Sequence, residues 1–318
     1  MRWATPLVAL VLMLSTAPAR ADEGTALGLR EPAARGDVGA MGHVWQTWNN
    51  CGPASVVMAL SNFGIDASQE EARLALRGPD IRRGMPALNV DPWVRFRFGL
   101  RAVARTDGTA DQVKRFVANG FPVLVTQWLD DVSPRIAHYR VVRAFDDVAR
   151  VFFVNDPMRG ADVALAYDWF NESWRPFSYR YLVLYRPDDE ARVKALVGAD
   201  WDELAMRERL YVRARAEAER QGTSAAWLSY GEAAYQYGKF GEAVSAFERG
   251  LALGPGTGVF TLRVSYPMSL RLTQRNAEAD LAYTKFASLA TAPVRGPDAA
   301  DPIALFLFAS RVPRLVAE

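Results

Sequence analysis

Apolar residues along this chain keep a helical spacing up to Gly120 and then change to short continuous or alternating runs. From Pro53 to Phe63 the run P-A-S-V-V-M-A-L-S-N-F carries them at helical intervals, with Pro53 suited to a first turn and Gly64 to a C-terminal stop. Ser68 and Glu71 make a capping box that opens a second helix, which continues through Ala75 and stops around Gly78. A short helix is expected around Trp93, after Pro92, leading into a strand near Leu100 to Val103. Thr109 caps a further helix through Val113, Phe116 and Val117, ended by Gly120. Beyond it, F-P-V-L-V-T-Q-W-L, H-Y-R-V-V-R-A-F, R-V-F-F-V-N and S-Y-R-Y-L-V-L-Y read as strands of one antiparallel sheet. Helices first and sheet afterwards predict an α+β domain that closes near Arg186-Pro187.

The pattern then becomes helical again. Asp202 to Arg220 is rich in strong helix formers, and an apolar stripe is expected through Leu204, Tyr211, Ala214 and Ala218. In the segment that follows, Trp227, Gly231, Ala243, Phe247 and Pro255 fall at the spacing of a tetratricopeptide repeat, which this stretch resembles. The resemblance implies two antiparallel helices whose small residues allow close crossing, and a surface for peptide or protein partners. A lone repeat cannot bury both faces, so degenerate helical neighbours are expected on either side, the later one including N-A-E-A-D-L-A-Y-T-K-F-A. Residues 188–318 are therefore expected to form an all-α domain resembling tetratricopeptide repeats.

The N-terminus changes the picture of where the protein works. Arg2 precedes the short apolar run P-L-V-A-L-V-L-M-L, and Ala19-Arg20-Ala21 fits a small-residue cleavage site, so residues 1–21 read as a secretory signal. The mature chain is expected to begin at Asp22, in the periplasm or outside the cell, with no stable membrane span after cleavage. Residues 22–42 are rich in Gly, Ala, Pro and charge without a sustained period, and read as a flexible or loosely docked leader. Without Arg2 and Arg20, the 38 Lys and Arg fall to 36, against 36 Asp and Glu, so no bulk charge points to nucleic acid or anionic lipid.

Composition also isolates one reactive group. The chain of 318 residues has a single cysteine, Cys51, and two histidines, His43 and His138. An exported protein with one cysteine cannot close an internal disulfide, so the thiol is either a small buried hydrophobe or a reagent. Cys51 lies at the expected N-terminus of a helix, where the helix dipole and an imidazolium would both lower a thiol pKa from about 8.5. Gly52 would let substrate approach the backbone, and Pro53 gives up an amide hydrogen that has no partner there. His138 is the candidate base and Asp156 the candidate orienting acid, with Asn155 as the fallback orienter. Gln46 could aim a side-chain N–H at the same oxygen as the Cys51 amide, forming an oxyanion hole.

The segments Q-T-W-N-N-C-G-P-A-S, H-Y-R-V-V and N-D-P, in that order, resemble a peptidase C39-like domain within the papain-like cysteine peptidases. The resemblance covers about residues 42–187, and the domain is placed at residues 43–187. It implies a papain-like fold, a nucleophile at Cys51, a general base at His138, an orienting acid at Asp156 and an oxyanion donor at Gln46. Two departures stand out: Gln46 is five residues before Cys51, one closer than in papain, and Arg140 occupies a place that is usually apolar. On a strand Arg140 points to the same side as His138, where it would contact substrate or close a surface salt bridge.

These residues predict an exported cysteine peptidase acting on a peptide or protein substrate through a thioester, with no metal or organic cofactor. Two histidines and one cysteine offer no zinc cluster at usual spacings. The chain has no G-x-x-x-x-G-K-[ST] phosphate loop, so a leader peptidase fused to an ATP-driven exporter is not supported. The alternatives are a catalytically silent papain-like module that binds proteins and an acyltransferase or transpeptidase using the same triad. Trp45, Trp48, Trp128 and Tyr139 are aromatic residues near the motifs that would serve either as subsites or as core.

Overall fold

The structure is a computed structural model and describes residues 27–78, 84–129, 136–254, 262 and 264–288. The expected signal at residues 1–21, Pro255 and the chain after Ser288 lie outside the described residues. The chain opens with a short strand, β1 (Arg35–Asp37), followed by three helices, α1 (Cys51–Ser61), α2 (Gln69–Arg77) and α3 (Val90–Phe98). Strand β2 (Arg101–Arg105) and helix α4 (Ala110–Ala118) lead into β3 (Val123–Leu129), β4 (Ile136–Asp146), β5 (Val151–Asp156) and β6 (Gly160–Ala166). Helix α5 (Tyr167–Trp174), β7 (Tyr181–Tyr185) and α6 (Glu190–Val197) complete this part.

The strands form one antiparallel sheet in the order β2-β7-β3-β4-β5-β6, with β1 paired to the far end of β4. Both faces are covered. On one, α4, α5 and α6 meet the sheet through Phe116, Val125, Val142, Phe152, Phe170, Trp174 and Val183. On the other, α1, α2 and α3 pack against Leu124, Val141, Leu182 and Leu184. Double coverage explains why β7 reads as an unbroken apolar run and β3 as one interrupted only by Thr126 and Gln127: every residue of each is buried, so neither strand needs a solvent-facing polar side.

The expected helices and strands occur with small shifts of their ends, but three expectations change. Residues 27–42 are not a free leader: β1 pairs with Ala144–Asp146 along β4, and Leu29 and Val38 pack against the main core. Helix α6 does not open the helical region. Its Val193, Leu196 and Val197 belong to the core beneath the sheet, so the first unit extends past Pro187. The sequence also gave no warning of β6 and α5. Strand β6 is an edge strand with one buried residue, which leaves little apolar signal.

The remaining helices are α7 (Glu203–Gln221), α8 (Ser224–Gln236), α9 (Phe240–Leu253), α10 (Ser265–Leu272) and α11 (Asn276–Ser288). The buried stripe of α7 is Met206, Leu210, Ala214 and Ala218, so the expected Ala214 and Ala218 are in it, while Leu204 is 58% exposed and Tyr211 is half-buried. Both sets fit a helical period, and the four-residue steps win because Met206 sits under Thr106 of the first unit, its sulfur 3.2 Å from the Thr106 amide nitrogen. Tyr179 packs against both cores and closes the junction, with Arg213 stacked 4.2 Å above its ring and paired to Asp107 at 2.7 Å.

Helices α8 and α9 cross at small residues. A Cβ on Gly231 would lie 2.8 Å from the Phe247 ring, and one on Gly250 would lie 2.7 Å from Leu228 Cγ. Gly231→Val is therefore expected to destabilise the protein by about 1–3 kcal/mol, because the displaced ring outweighs a helix-propensity gain below about 1 kcal/mol. Thermal unfolding followed by circular dichroism checks this, and an unchanged midpoint would refute it. Among the described residues no helix is long and apolar enough to cross a membrane.

Candidate active site

Cys51 is the first residue of α1, and its backbone joins the helix directly after a tight loop. That loop is fixed by α2. Gln69, the first residue of α2, accepts from the Thr47 amide at 2.7 Å, from Thr47 Oγ1 at 3.0 Å and from Asn50 Nδ2 at 3.0 Å. Its own Nε2 donates to the Trp45 carbonyl at 2.8 Å. Asn50 is fully buried and accepts from Arg77 Nη1 at 2.6 Å. Asn49 turns the chain with φ 51°, a left-handed conformation that asparagine tolerates better than most residues. Gln69 and Arg77 were not foreseen, since in sequence they are ordinary first- and last-turn residues of a polar helix.

Gly52 has a different reason to be glycine from the one expected. It is buried, and a Cβ there would meet Met85 Cβ at 2.6 Å. Packing against Met85, rather than room for substrate, excludes a side chain. Gln46 is half-buried and its amide donates to the Pro157 carbonyl at 2.9 Å, which holds it beside the turn after β5. Its side-chain Oε1 is buried without a hydrogen-bond partner among the described residues.

Strands β4 and β5 supply the other two candidates. His138 is 1% exposed, and its Nε2 lies 2.8 Å from Asp156 Oδ1. The same carboxylate oxygen accepts from the Met158 and Arg159 amides at 2.8 and 3.1 Å. With Nε2 committed to Asp156, Nδ1 is the ring atom left over, buried without a hydrogen-bond partner among the described residues. Asn155 points the other way, as strand alternation requires, donating to the Gly42 carbonyl at 3.2 Å. His43 meets the Asp156 main-chain oxygen at 2.9 Å and stacks edge-on to Trp45, so it belongs to the scaffold.

The electrostatics follow from these contacts. Cys51 is partly exposed. Burial pushes its thiol upward, but the neighbouring His138 imidazole, with the backbone at Tyr139 and Gly52, holds it below the ordinary value. Burial opposes the charged form of His138, and Asp156 and the Cys51 thiolate overcome it, so the imidazole is held above its ordinary value. Asp156 is depressed well below the usual carboxylate range despite desolvation, chiefly by His138 and then by Arg140. Each of the three shifts is toward the charged form of its group, thiolate, imidazolium and carboxylate.

Arg140 is neither a substrate contact nor part of a surface salt bridge. It is fully buried and its Nε donates to Asp156 Oδ2 at 2.7 Å, with Nη1 3.3 Å from both Gln127 Oε1 and the Trp128 carbonyl. Arg140 and His138 share a face of β4 as strand alternation requires, but that face is roofed by α5, whose Trp169 ring lies 5.4 Å from the guanidinium carbon. Trp45 and Trp48, in the loop that precedes Cys51, are exposed, while Trp128 is interior, 4.7 Å from the Phe177 ring. Tyr139 donates to the Met85 carbonyl at 3.2 Å. Among the described residues no group of three His, Cys, Asp or Glu side chains is placed to hold a metal ion.

Comparison with known proteins adds a family. Residues 41–182 match the model of the Peptidase_C39 like family. No curated protein matches the chain. Among solved structures, a double glycine motif protease from an AMS/PCAT transporter, in complex with the leader peptide, is 24% identical, with a TM-score of 0.37 over 49% of this chain and 99% of that one. A putative C39-like peptidase from Bacillus anthracis is 13% identical, with a TM-score of 0.42 over 48% of this chain and 98% of that one. The peptidase domain of Streptococcus ComA, a bi-functional ABC transporter involved in quorum sensing, is 18% identical, with a TM-score of 0.36 over 45% of this chain and 97% of that one. This chain is thus similar to the Peptidase_C39 like family over residues 41–182.

Proposed function

We propose that this protein is an exported cysteine peptidase that cleaves peptide bonds with Cys51 as nucleophile, His138 as general base and acid, and Asp156 as the group that orients the imidazole. The observation that carries the reading is that His138, whose imidazole holds the partly exposed Cys51 thiol below its ordinary value, is itself paired with buried Asp156 at 2.8 Å from Nε2 to the carboxylate. Cys51 Sγ attacks the scissile carbonyl, and the C–S bond forms as the carbonyl electrons move to oxygen. The Cys51 amide and Gln46 Nε2 receive that oxyanion. Collapse breaks the C–N bond, and His138 gives its proton to the leaving amine. Water then attacks the thioester, losing a proton to His138, and the acid product leaves as the thiolate returns.

The signal-like N-terminus supports export. The close α8–α9 crossing supports a tetratricopeptide-like region, and substrate or partner docking is the role we assign to it. The domain match and the paired charges at Cys51, His138 and Asp156 together favour an enzyme over a silent binding module.

The test is a peptide library incubated with the mature protein and with Cys51→Ala, products being read by mass spectrometry. New carboxyl and amino termini with wild type alone, plus a trapped acyl adduct on Cys51, are expected. Equal product patterns from the two proteins would sink the proposal, and amine-capped products in place of free acids would move it to transpeptidation.

A further inference from the structure

The carboxylate that orients His138 is itself held, and by a residue whose place in the C39-like pattern is usually apolar. We infer that Arg140 is a positioning residue that clamps Asp156 as an anion with Oδ1 turned to His138; this rests on the reading of Cys51, His138 and Asp156 as an acylating triad. Asp156 is fully buried and divides its two oxygens cleanly. Oδ1 serves His138 and the Met158 and Arg159 amides, while Oδ2 accepts from Arg140 Nε at 2.7 Å. Arg140 is in turn aimed by buried Gln127, whose Oε1 meets Nη1 at 3.3 Å and whose Nε2 donates to the Phe170 carbonyl of α5 at 2.9 Å. The Trp128 carbonyl and the Trp169 ring complete the surround of the guanidinium.

A planar guanidinium fits this place because one face of its fork meets the carboxylate while another nitrogen reaches β3. The charged and titratable groups around Asp156 are His138 and Arg140 of β4, Cys51 of α1 acting through His138, and His43, which touches the main-chain oxygen. The elements packed on its other sides, β3 and α5, present Gln127, Trp128 and Trp169, none of which titrates. Without Arg140, Oδ2 is a buried oxygen lacking its cation, and desolvation drives the carboxylate toward its neutral form. Protonation then removes the charge that holds the imidazolium, and the thiolate is lost with it.

The experiment is the pH profile of Cys51 alkylation by iodoacetamide in Arg140→Met, Arg140→Lys and wild type. In Arg140→Met, reactivity should fall as pH drops through about 6 to 4, reaching roughly a tenfold deficit against wild type at pH 5. The two should label alike near pH 9.5, where an ordinary thiol is ionised. Arg140→Lys restores the cation without the fork and should recover part of the acid-side reactivity.

Should Arg140→Met fail to fold, Asp156→Asn/Arg140→Met removes the unpaired charge and is expected to recover a cooperative thermal transition. A folded Arg140→Met with the wild-type profile overturns the inference, as does a double variant that stays unfolded. Slow wild-type labelling that does not depend on His138 overturns the triad reading itself and the inference with it.

Discussion

Replacing His138 with alanine is expected to abolish the plateau of Cys51 alkylation below pH 8, leaving a rate that falls tenfold for each pH unit below about 8.5. In the wild type the imidazolium holds the thiol below its ordinary value, and the variant keeps only the backbone at Tyr139 and Gly52 against the upward push of burial. A single rate at pH 7 would decide little. A thiolate of higher pKa is intrinsically more nucleophilic, with a Brønsted coefficient of about 0.4–0.5, which offsets part of the lost ionisation. The slope is free of that compensation. Peptide hydrolysis should fall further, by at least about a thousandfold, since His138 must also protonate the leaving amine. A variant that keeps the wild-type plateau would show that the thiolate does not depend on this imidazole.

Gln46→Ala is expected to separate the two kinds of reaction at one sulfur. Attack on a carbonyl builds an oxyanion, and removing one donor to it typically costs about 2.7–4 kcal/mol, or a hundredfold to a thousandfold in kcat. Alkylation by iodoacetamide displaces a halide and builds no oxyanion, so its rate and pH profile should stay unchanged. KM should also move little, because the donor acts on charge that develops after binding. The position of Gln46 beside Pro157, with a buried Oε1, makes a purely local role the rival outcome. In that case hydrolysis would fall less than about fivefold, or alkylation would change in parallel through a displaced loop.

Scarcity made the candidate site unusually legible. One cysteine and two histidines leave few pairings, and the capping residues and turn prolines around them are local signals. Strands β3, β4, β5 and β7 were readable for the same reason, as apolar runs between turns. What escaped depends on chain segments that meet only after folding. Gln69 contacts Thr47 across 22 residues and Arg77 contacts Asn50 across 27, with no periodicity to announce either. Arg140 was placed on the right side of its strand, yet its burial required α5, an eight-residue helix absent from the sequence reading. The buried stripe of α7 was displaced because two faces of that helix carry apolar residues, and only the first unit decides between them.

The three hydrogen bonds that converge on Gln69 Oε1 have a consequence for the energetics of encounter. Ordering a backbone residue costs about 1–2 kcal/mol, and a loose loop before the nucleophile would demand that cost at each binding event. Here residues 45–50 are ordered when the protein folds. Under the proposed peptidase reading, substrate affinity is then not diverted into freezing the loop, and remains available to hold an acyl group against Cys51 in the geometry of attack.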